Sequence, residues 1–233
     1  MAKRVDDDFF GRVGHDLRGE LSTMLAGVHY LLRYEQGLGD TAREMLERIN
    51  GAGLRLKRLL DEFGNAIWLD PSVQRQLSFD RCDVEKICAA ALERGARSAV
   101  ARGVTPVVEA ESAHVSADAE LLATALEYVI DLAVTRSRDQ RVLVRAAVDA
   151  GHAIVTVVDE AGPVPEERLA ALVDPFVEKE AIPRETPARR RERLGLGLTI
   201  ASGILEVHGG GLRAELAPGG KGLSFRCDLG PVV

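Results

Sequence analysis

The chain has 233 residues, of which 46% are hydrophobic and 28% charged, and its formal net charge is −6 at pH 7. This length allows one large domain or two small ones, and the negative charge argues against nucleic-acid binding, which favours a basic surface. No apolar run approaches the roughly 18 residues of a membrane span. Three cysteines without zinc-site spacing indicate reduced structural thiols, so we expect a cytoplasmic protein that has no membrane segment in this chain.

Residues 1–70 are predicted to form a helical hairpin, because two apolar stripes recur at spacings of three and four residues. The first stripe comprises Phe10, Val13, Leu17, Leu21, Met24, Val28 and Leu31; the second comprises Ala42, Met45, Ile49, Leu56, Leu59, Phe63 and Ile67. Two helices bury two such stripes poorly, whereas a symmetric four-helix bundle of two chains buries both. We therefore expect a homodimer; the alternative is a monomeric hairpin packed on a second domain.

Residues 71–233 are predicted to form a second domain, an α+β sandwich with helices on one face of a mixed sheet. The break at Leu69-Asp70-Pro71-Ser72 marks the boundary, since proline disfavours helix in the residue before it. Helices are predicted over 84–101, 119–135, 165–172 and 197–207, and strands over 77–79, 104–109, 114–116, 141–148, 154–158, 212–216 and 223–229. The polar stretch 177–193, which carries Arg184, Arg189, Arg190, Arg191 and Arg193, is predicted to be a loop.

A histidine followed by an acid and then an arginine stands inside the first helix, in the sequence His15-Asp16-Leu17-Arg18. His15 is not in the apolar stripe and should project from the bundle, and phosphoryl transfer needs such an accessible imidazole nitrogen as its nucleophile. A glycine run, Gly195-Leu196-Gly197-Leu198, opens the helix near the other end. Over nearly its whole length the chain resembles the catalytic core of a sensor histidine kinase. The first domain resembles the dimerisation and histidine-phosphotransfer domain, and the second resembles the gyrase, chaperone and histidine kinase ATPases.

The resemblance implies a role for each residue of the histidine motif. His15 is the expected phosphoacceptor, and Asp16 is the acid that orients the ring and accepts its proton. Arg18 is expected to contact phosphate or a partner's acidic pocket.

The nucleotide boxes of this family are altered in the chain. The asparagine box, roughly N-L-x-x-N-A, aligns with 128–133, where Tyr128 and Leu132 replace both asparagines. The second family asparagine holds Mg²⁺, and leucine offers no oxygen ligand to this cation. Asp159 is kept at the position whose carboxylate accepts the adenine amino group, but Ala161 and Pro163 replace the neighbouring glycines.

The second glycine box keeps Gly195 and Gly197, where helix N-terminal amides meet phosphates in the family. With Asp159, these glycines are the expected remnants of an ATP site. We predict no metal ligands.

Three hypotheses follow for the function. The first is a phosphotransfer protein or pseudokinase, in which His15 relays phosphate between response regulator receiver domains and no cofactor is needed. The second is an active autokinase with an atypical site for ATP and Mg²⁺. The third is a non-catalytic scaffold that binds regulators through the hairpin.

Overall fold

The structure is a computed structural model that describes residues 7–66, 77–137, 141–162, 164–177 and 195–233. The described residues form two compact units, a helical hairpin and a larger α/β unit. The predicted domain boundary at 69–72 lies outside them and stays a prediction. The helices are α1 Asp7–Tyr34, α2 Asp40–Ala66, α3 Val84–Arg102, α4 Ala119–Arg136 and α5 Gly197–Val207. The strands are β1 Asp80–Asp83, β2 Thr105–Ala110, β3 His114–Ala117, β4 Arg141–Asp149, β5 His152–Val158, β6 Gly211–Leu216 and β7 Leu223–Pro231.

The hairpin holds α1 against α2 through a small number of close contacts. Leu21 and Leu25 are buried, and Leu25 packs over Gly53 of α2. A β-carbon at Gly53 would lie 2.6 Å from Cδ2 of Leu25. The missing side chain at Gly53 therefore allows the two helices to approach each other closely.

Most of the two predicted apolar stripes does not lie between α1 and α2. Leu25, which the predicted stripe omits, is buried, whereas large apolar side chains of both stripes are exposed in the single chain. We call these residues the open apolar face: Val13, Leu17, Met24, Leu31, Met45, Ile49, Leu56 and Phe63. Their side chains range from 38% to 63% exposed. An apolar surface of this extent on a small helical unit is typical of an association surface.

The larger unit is built on a five-stranded sheet in the order β2-β4-β5-β7-β6. The β2–β4 pair is parallel and the other pairs are antiparallel, so the predicted mixed sheet is confirmed. Strand β4 shows the two faces, because Val142, Val144 and Ala146 are buried while Arg145 is exposed. Helices α3, α4 and α5 pack side by side, and all three contact the sheet, α3 through β2. This gives two layers around one core.

A buried histidine joins the end of α5 to the start of α4. Nε2 of His208 accepts the backbone N–H of Asp118 at 3.1 Å, and Nδ1 of His208 lies 2.7 Å from the carbonyl oxygen of Ile204. Because Asp118 also caps α4 by accepting the N–H of Leu121, one short network fixes the ends of two helices. The orientation of α4 positions the residues described below.

Two predicted elements are wrong in detail. Residues 77–79 are not a strand; the first strand begins at Asp80 and pairs antiparallel with β3. Residues 165–172 do not form one α-helix but two short 3₁₀ turns, Glu166–Arg168 and Ala170–Val173. Such brief turns satisfy few backbone groups, and local periodicity does not separate them from an α-helix. Among the described helices, none is long and apolar enough to cross a membrane.

Candidate functional site

The structure places His15 on an accessible part of α1. Its side chain is 88% exposed and that of Asp16 is 82% exposed, with 3.4 Å between Nδ1 of His15 and Oδ1 of Asp16. A helix turns about 100° per residue, so Leu17 and Met24 lie about 200° and 180° around α1 from His15. The histidine therefore faces away from the open apolar face, as its absence from the stripe predicted.

Arg18 makes its described contacts inside the hairpin. Its Nε donates to Oδ1 of Asp61 at 2.9 Å, and its Nη2 donates to the carbonyl oxygen of Leu60 at 3.2 Å. Gly64 makes room for this guanidinium, since a β-carbon there would lie 2.1 Å from Nη2. The structure thus shows Arg18 joining α1 to α2, and its contact with phosphate or a partner stays a prediction.

The α4 face that matches the family's asparagine box carries a different set of side chains. Tyr128, Leu132 and Arg136 are spaced four residues apart, which places them along one side of the helix. Tyr128 is half-buried, Leu132 is 1% exposed and Arg136 is 2% exposed. The departure seen in the sequence at Tyr128 and Leu132 therefore extends one turn further, to a buried arginine.

Arg136 forms a buried ion pair with Asp159, the acid predicted to read adenine. Nε of Arg136 donates to Oδ2 of Asp159 at 2.8 Å, and both side chains are fully buried. Nη2 of Arg136 also donates to the carbonyl oxygen of Gly162 at 2.9 Å. This pair was not predicted from the sequence, since Arg136 and Asp159 lie 23 positions apart in different elements.

The segment after Asp159 turns back onto the same carboxylate. The N–H of Ala161 donates to Oδ1 at 3.0 Å, and Ala161 is 1% exposed. Gly162 has φ of +108°, a conformation that favours glycine. Pro163 lies outside the described residues. In the altered first glycine box, a backbone N–H of the segment therefore binds the Asp159 carboxylate.

Gly195 and Gly197 lie together at the start of α5, and both are buried. Gly195 has φ of +84°, and its carbonyl oxygen accepts the N–H of Phe176 at 2.7 Å. The predicted approach of these amides to phosphate stays a prediction, and the arginines at 184–193 lie outside the described residues.

The last glycine run has a packing role in the structure. A β-carbon at Gly222 would lie 1.9 Å from the carbonyl oxygen of Asp159, and the backbone N–H of Asp159 donates to the carbonyl oxygen of Leu223 at 2.9 Å. Gly222 is thus required for β7 to approach the end of β5, directly beside the buried pair.

The described residues do not fit ATP with Mg²⁺ in the family manner. Leu132 has no lone pair where an oxygen ligand is needed, and the Asp159 carboxylate is bound by Arg136. Within the described part of the chain, no group of three His, Cys, Asp or Glu side chains is placed to hold a metal ion.

Comparison with known proteins agrees with this architecture. Residues 117–231 match the family model described as Histidine kinase-, DNA gyrase B-, and HSP90-like ATPase. The chain is 29% identical to the sensor protein DivL of Caulobacter vibrioides over 98% of its own length and 28% of DivL. It is 30% identical to the sensor protein KdpD of Mycobacterium tuberculosis over 93% of its length and 25% of KdpD. The chain therefore spans less than a third of these relatives.

Solved structures show the same fold. The structure titled ShkA full-length in complex with AMPPNP superposes with a TM-score of 0.75 at 21% identity, covering 98% of this chain and 46% of ShkA. The histidine kinase AdeS of Acinetobacter baumannii has a TM-score of 0.61 at 18% identity, covering 92% of this chain and 98% of AdeS. Residues 117–231 are thus similar to the histidine kinase-like ATPase domain, and nearly the whole chain is similar in sequence to sensor proteins and in fold to histidine kinases.

Proposed function

We propose that the chain is a histidine phosphotransfer protein that works without its own ATP-driven autophosphorylation. His15 takes a phosphoryl group from the phosphoaspartate of one response regulator receiver domain and gives it to another. The observation that carries this proposal is the exposed His15–Asp16 pair, 3.4 Å apart, in a chain whose other unit has the acid of the nucleotide face bound by Arg136.

The transfer step uses only groups that the hairpin presents. With its proton on Nδ1, His15 donates towards Asp16 and leaves the Nε2 lone pair free to attack phosphorus. The new N–P bond forms as the P–O bond to the donor aspartate breaks, and the donor carboxylate leaves. Asp16 stabilises the positive charge that the ring gains. The reverse step returns the phosphoryl group to a second receiver, so no nucleotide is consumed.

We also propose that two copies of the chain associate as a homodimer. On α1 the open apolar face lies on the side opposite His15, it continues on α2, and a second copy of the chain offers the same surface for a symmetric interface. Pairing would form a four-helix bundle that buries these side chains while leaving both histidines accessible. We place the complex in the cytoplasm with the receiver domains.

The test uses labelled receiver domains as phosphate donors. A panel of receiver domains is phosphorylated with labelled acetyl phosphate, freed of excess donor and mixed with the chain. We expect acid-labile label on the wild type, none on His15→Ala, and wild-type labelling of His29→Ala, which removes another exposed histidine of α1. Asp16→Asn should slow transfer ~10²-fold or more.

The outcomes separate the alternatives. Label on His15→Ala equal to the wild type would contradict the proposal. Binding of a receiver to the hairpin with no label on any variant would favour the scaffold.

A further inference from the structure

The buried ion pair closes one end of the α4 face described above. Along that face the side chains run from Tyr128 through Leu132 to Arg136, and the last of these reaches Asp159. Arg136 is the final residue of α4, and its side chain is shielded completely from solvent. A charge at this depth has to be compensated within the fold. Asp159 is its described ionic partner.

The hydrogen-bonding capacity of the Asp159 carboxylate is used by the protein itself. Oδ2 accepts Nε of Arg136 at 2.8 Å. Oδ1 accepts the N–H of Ala161 at 3.0 Å and lies 3.4 Å from the N–H of Leu223 and 3.5 Å from Nη2 of Arg136. Both oxygens of the carboxylate are therefore engaged, Oδ1 by three donors and Oδ2 by Arg136. The exocyclic amino group of an adenine would have to compete with these donors, above all with the guanidinium at Oδ2.

We infer that Arg136 is an internal substitute for a bound base, which takes the hydrogen bonds of Asp159 and closes this domain to adenine compounds. This inference rests on the proposed function in treating the domain as independent of ATP. It identifies Arg136 as the residue that prevents adenine binding. This effect is distinct from the missing metal ligand at Leu132. Two blocks therefore act at different ends of the site, one on the base and one on the phosphates.

The strength of the block follows from burial. A base that bound Asp159 would have to separate two fully buried charges and leave the guanidinium without its partner. Breaking a buried pair in this way lowers ligand affinity roughly 10²- to 10³-fold.

The experiment measures adenosine binding, so neither phosphate nor metal enters the result. Arg136→Ala removes the guanidinium and leaves space beside Asp159, whereas Arg136→Met removes the charge and keeps most of the volume. Titration calorimetry should show no adenosine binding to the wild type or to Arg136→Met. Arg136→Ala should bind adenosine with a Kd of roughly 1 mM or tighter. Inosine, which carries an oxygen in place of the amino group, should not bind.

A second variant keeps the test decisive if Arg136→Ala does not fold. Arg136→Ala/Asp159→Asn leaves no unpaired charge, and the asparagine side chain still offers an oxygen to the adenine amino group. It should fold and bind adenosine in preference to inosine. The inference is overturned if neither Arg136→Ala nor the double variant binds adenosine although folded, or if the wild type binds adenosine as tightly as they do.

The proposed function fails on a different result. If His15 takes label from receivers while no Arg136 variant binds adenosine, the relay stands and the inference falls. If Arg136→Ala binds adenosine but no receiver labels His15, the inference stands and the relay falls.

Discussion

The hairpin and the sheet unit treat their chemically important residues in opposite ways. In the hairpin, His15 and Asp16 are more than four-fifths exposed and an apolar face is left open. In the sheet unit, Asp159 is fully buried and its hydrogen bonds are made within the fold. The hairpin exposes the side chains of its histidine motif, whereas the sheet unit binds the Asp159 carboxylate with its own groups.

This contrast concerns how a buried acid is compensated within a fold. A buried acid needs compensation whether or not a ligand supplies it. In this chain Arg136, Ala161 and Gly222 surround Asp159 with protein contacts. The Asp159 carboxylate is therefore compensated by protein groups alone, whereas the hairpin leaves large apolar side chains exposed in the single chain.

The largest change in stability is expected from a substitution in the packed interior beside Asp159. Gly222→Ala places a β-carbon 1.9 Å from the Asp159 carbonyl oxygen, so β7 has to move, and the free energy of unfolding should fall by about 3 kcal/mol or more. Gly211→Ala is the control, because a β-carbon there meets nothing within 4 Å. Urea unfolding measures both. Equal stabilities would show that the backbone approach is not needed.

Smaller effects are expected from two leucine substitutions in the hairpin, one between the helices and one on the open apolar face. Leu21→Ala removes a side chain buried to 5% exposure and should lower the free energy of unfolding by about 2–3 kcal/mol. Leu56→Ala alters the open apolar face and should instead weaken chain association ~10- to 100-fold, because each chain loses the burial of a leucine. Sedimentation velocity over a concentration series measures the association. If both variants sediment as the wild type does, the open apolar face is not an association surface.

The smallest effect concerns pH and the buried cysteines. Burial, with a smaller contribution from Glu85, raises the pKa of Cys88 from 9.0 to about 12, and burial raises the pKa of Cys227 further. The pKa of each thiol is higher in the folded chain than in the unfolded chain. The free energy of unfolding is therefore unaffected by thiol ionisation below pH 9 and falls as the pH rises towards 12. Each thiol should contribute a loss of about 1.4 kcal/mol per pH unit in that window.

Cys88→Ala tests this slope directly. Between pH 9 and 10 the variant should lose less stability than the wild type, by up to about 1.4 kcal/mol, and below pH 8 the two curves should run parallel. Identical slopes above pH 9 would contradict the role of burial at Cys88.

The sequence predicted what depends on local order and missed what depends on distant partners. The apolar spacing around Leu21 and the alternation in 141–148 were sufficient for the hairpin and the mixed sheet, since each pattern follows from one element's geometry. The contact of Arg136 with Asp159 joins residues 23 positions apart, and no periodicity encodes it. Likewise, the burial of Leu25 depends on Gly53 of the neighbouring helix. The roles of His15 and Asp16 remain predictions.

The most direct test of the account supplies phosphate from two donors in parallel. The wild-type chain is incubated with γ-labelled ATP and Mg²⁺ in one reaction and with a labelled phosphorylated receiver domain in the other, and label on His15 is followed over time. We expect label from the receiver and none from ATP. Robust labelling by ATP that disappears in His15→Ala would contradict it, because phosphate would then enter through the nucleotide face that Arg136 and Leu132 are inferred to block.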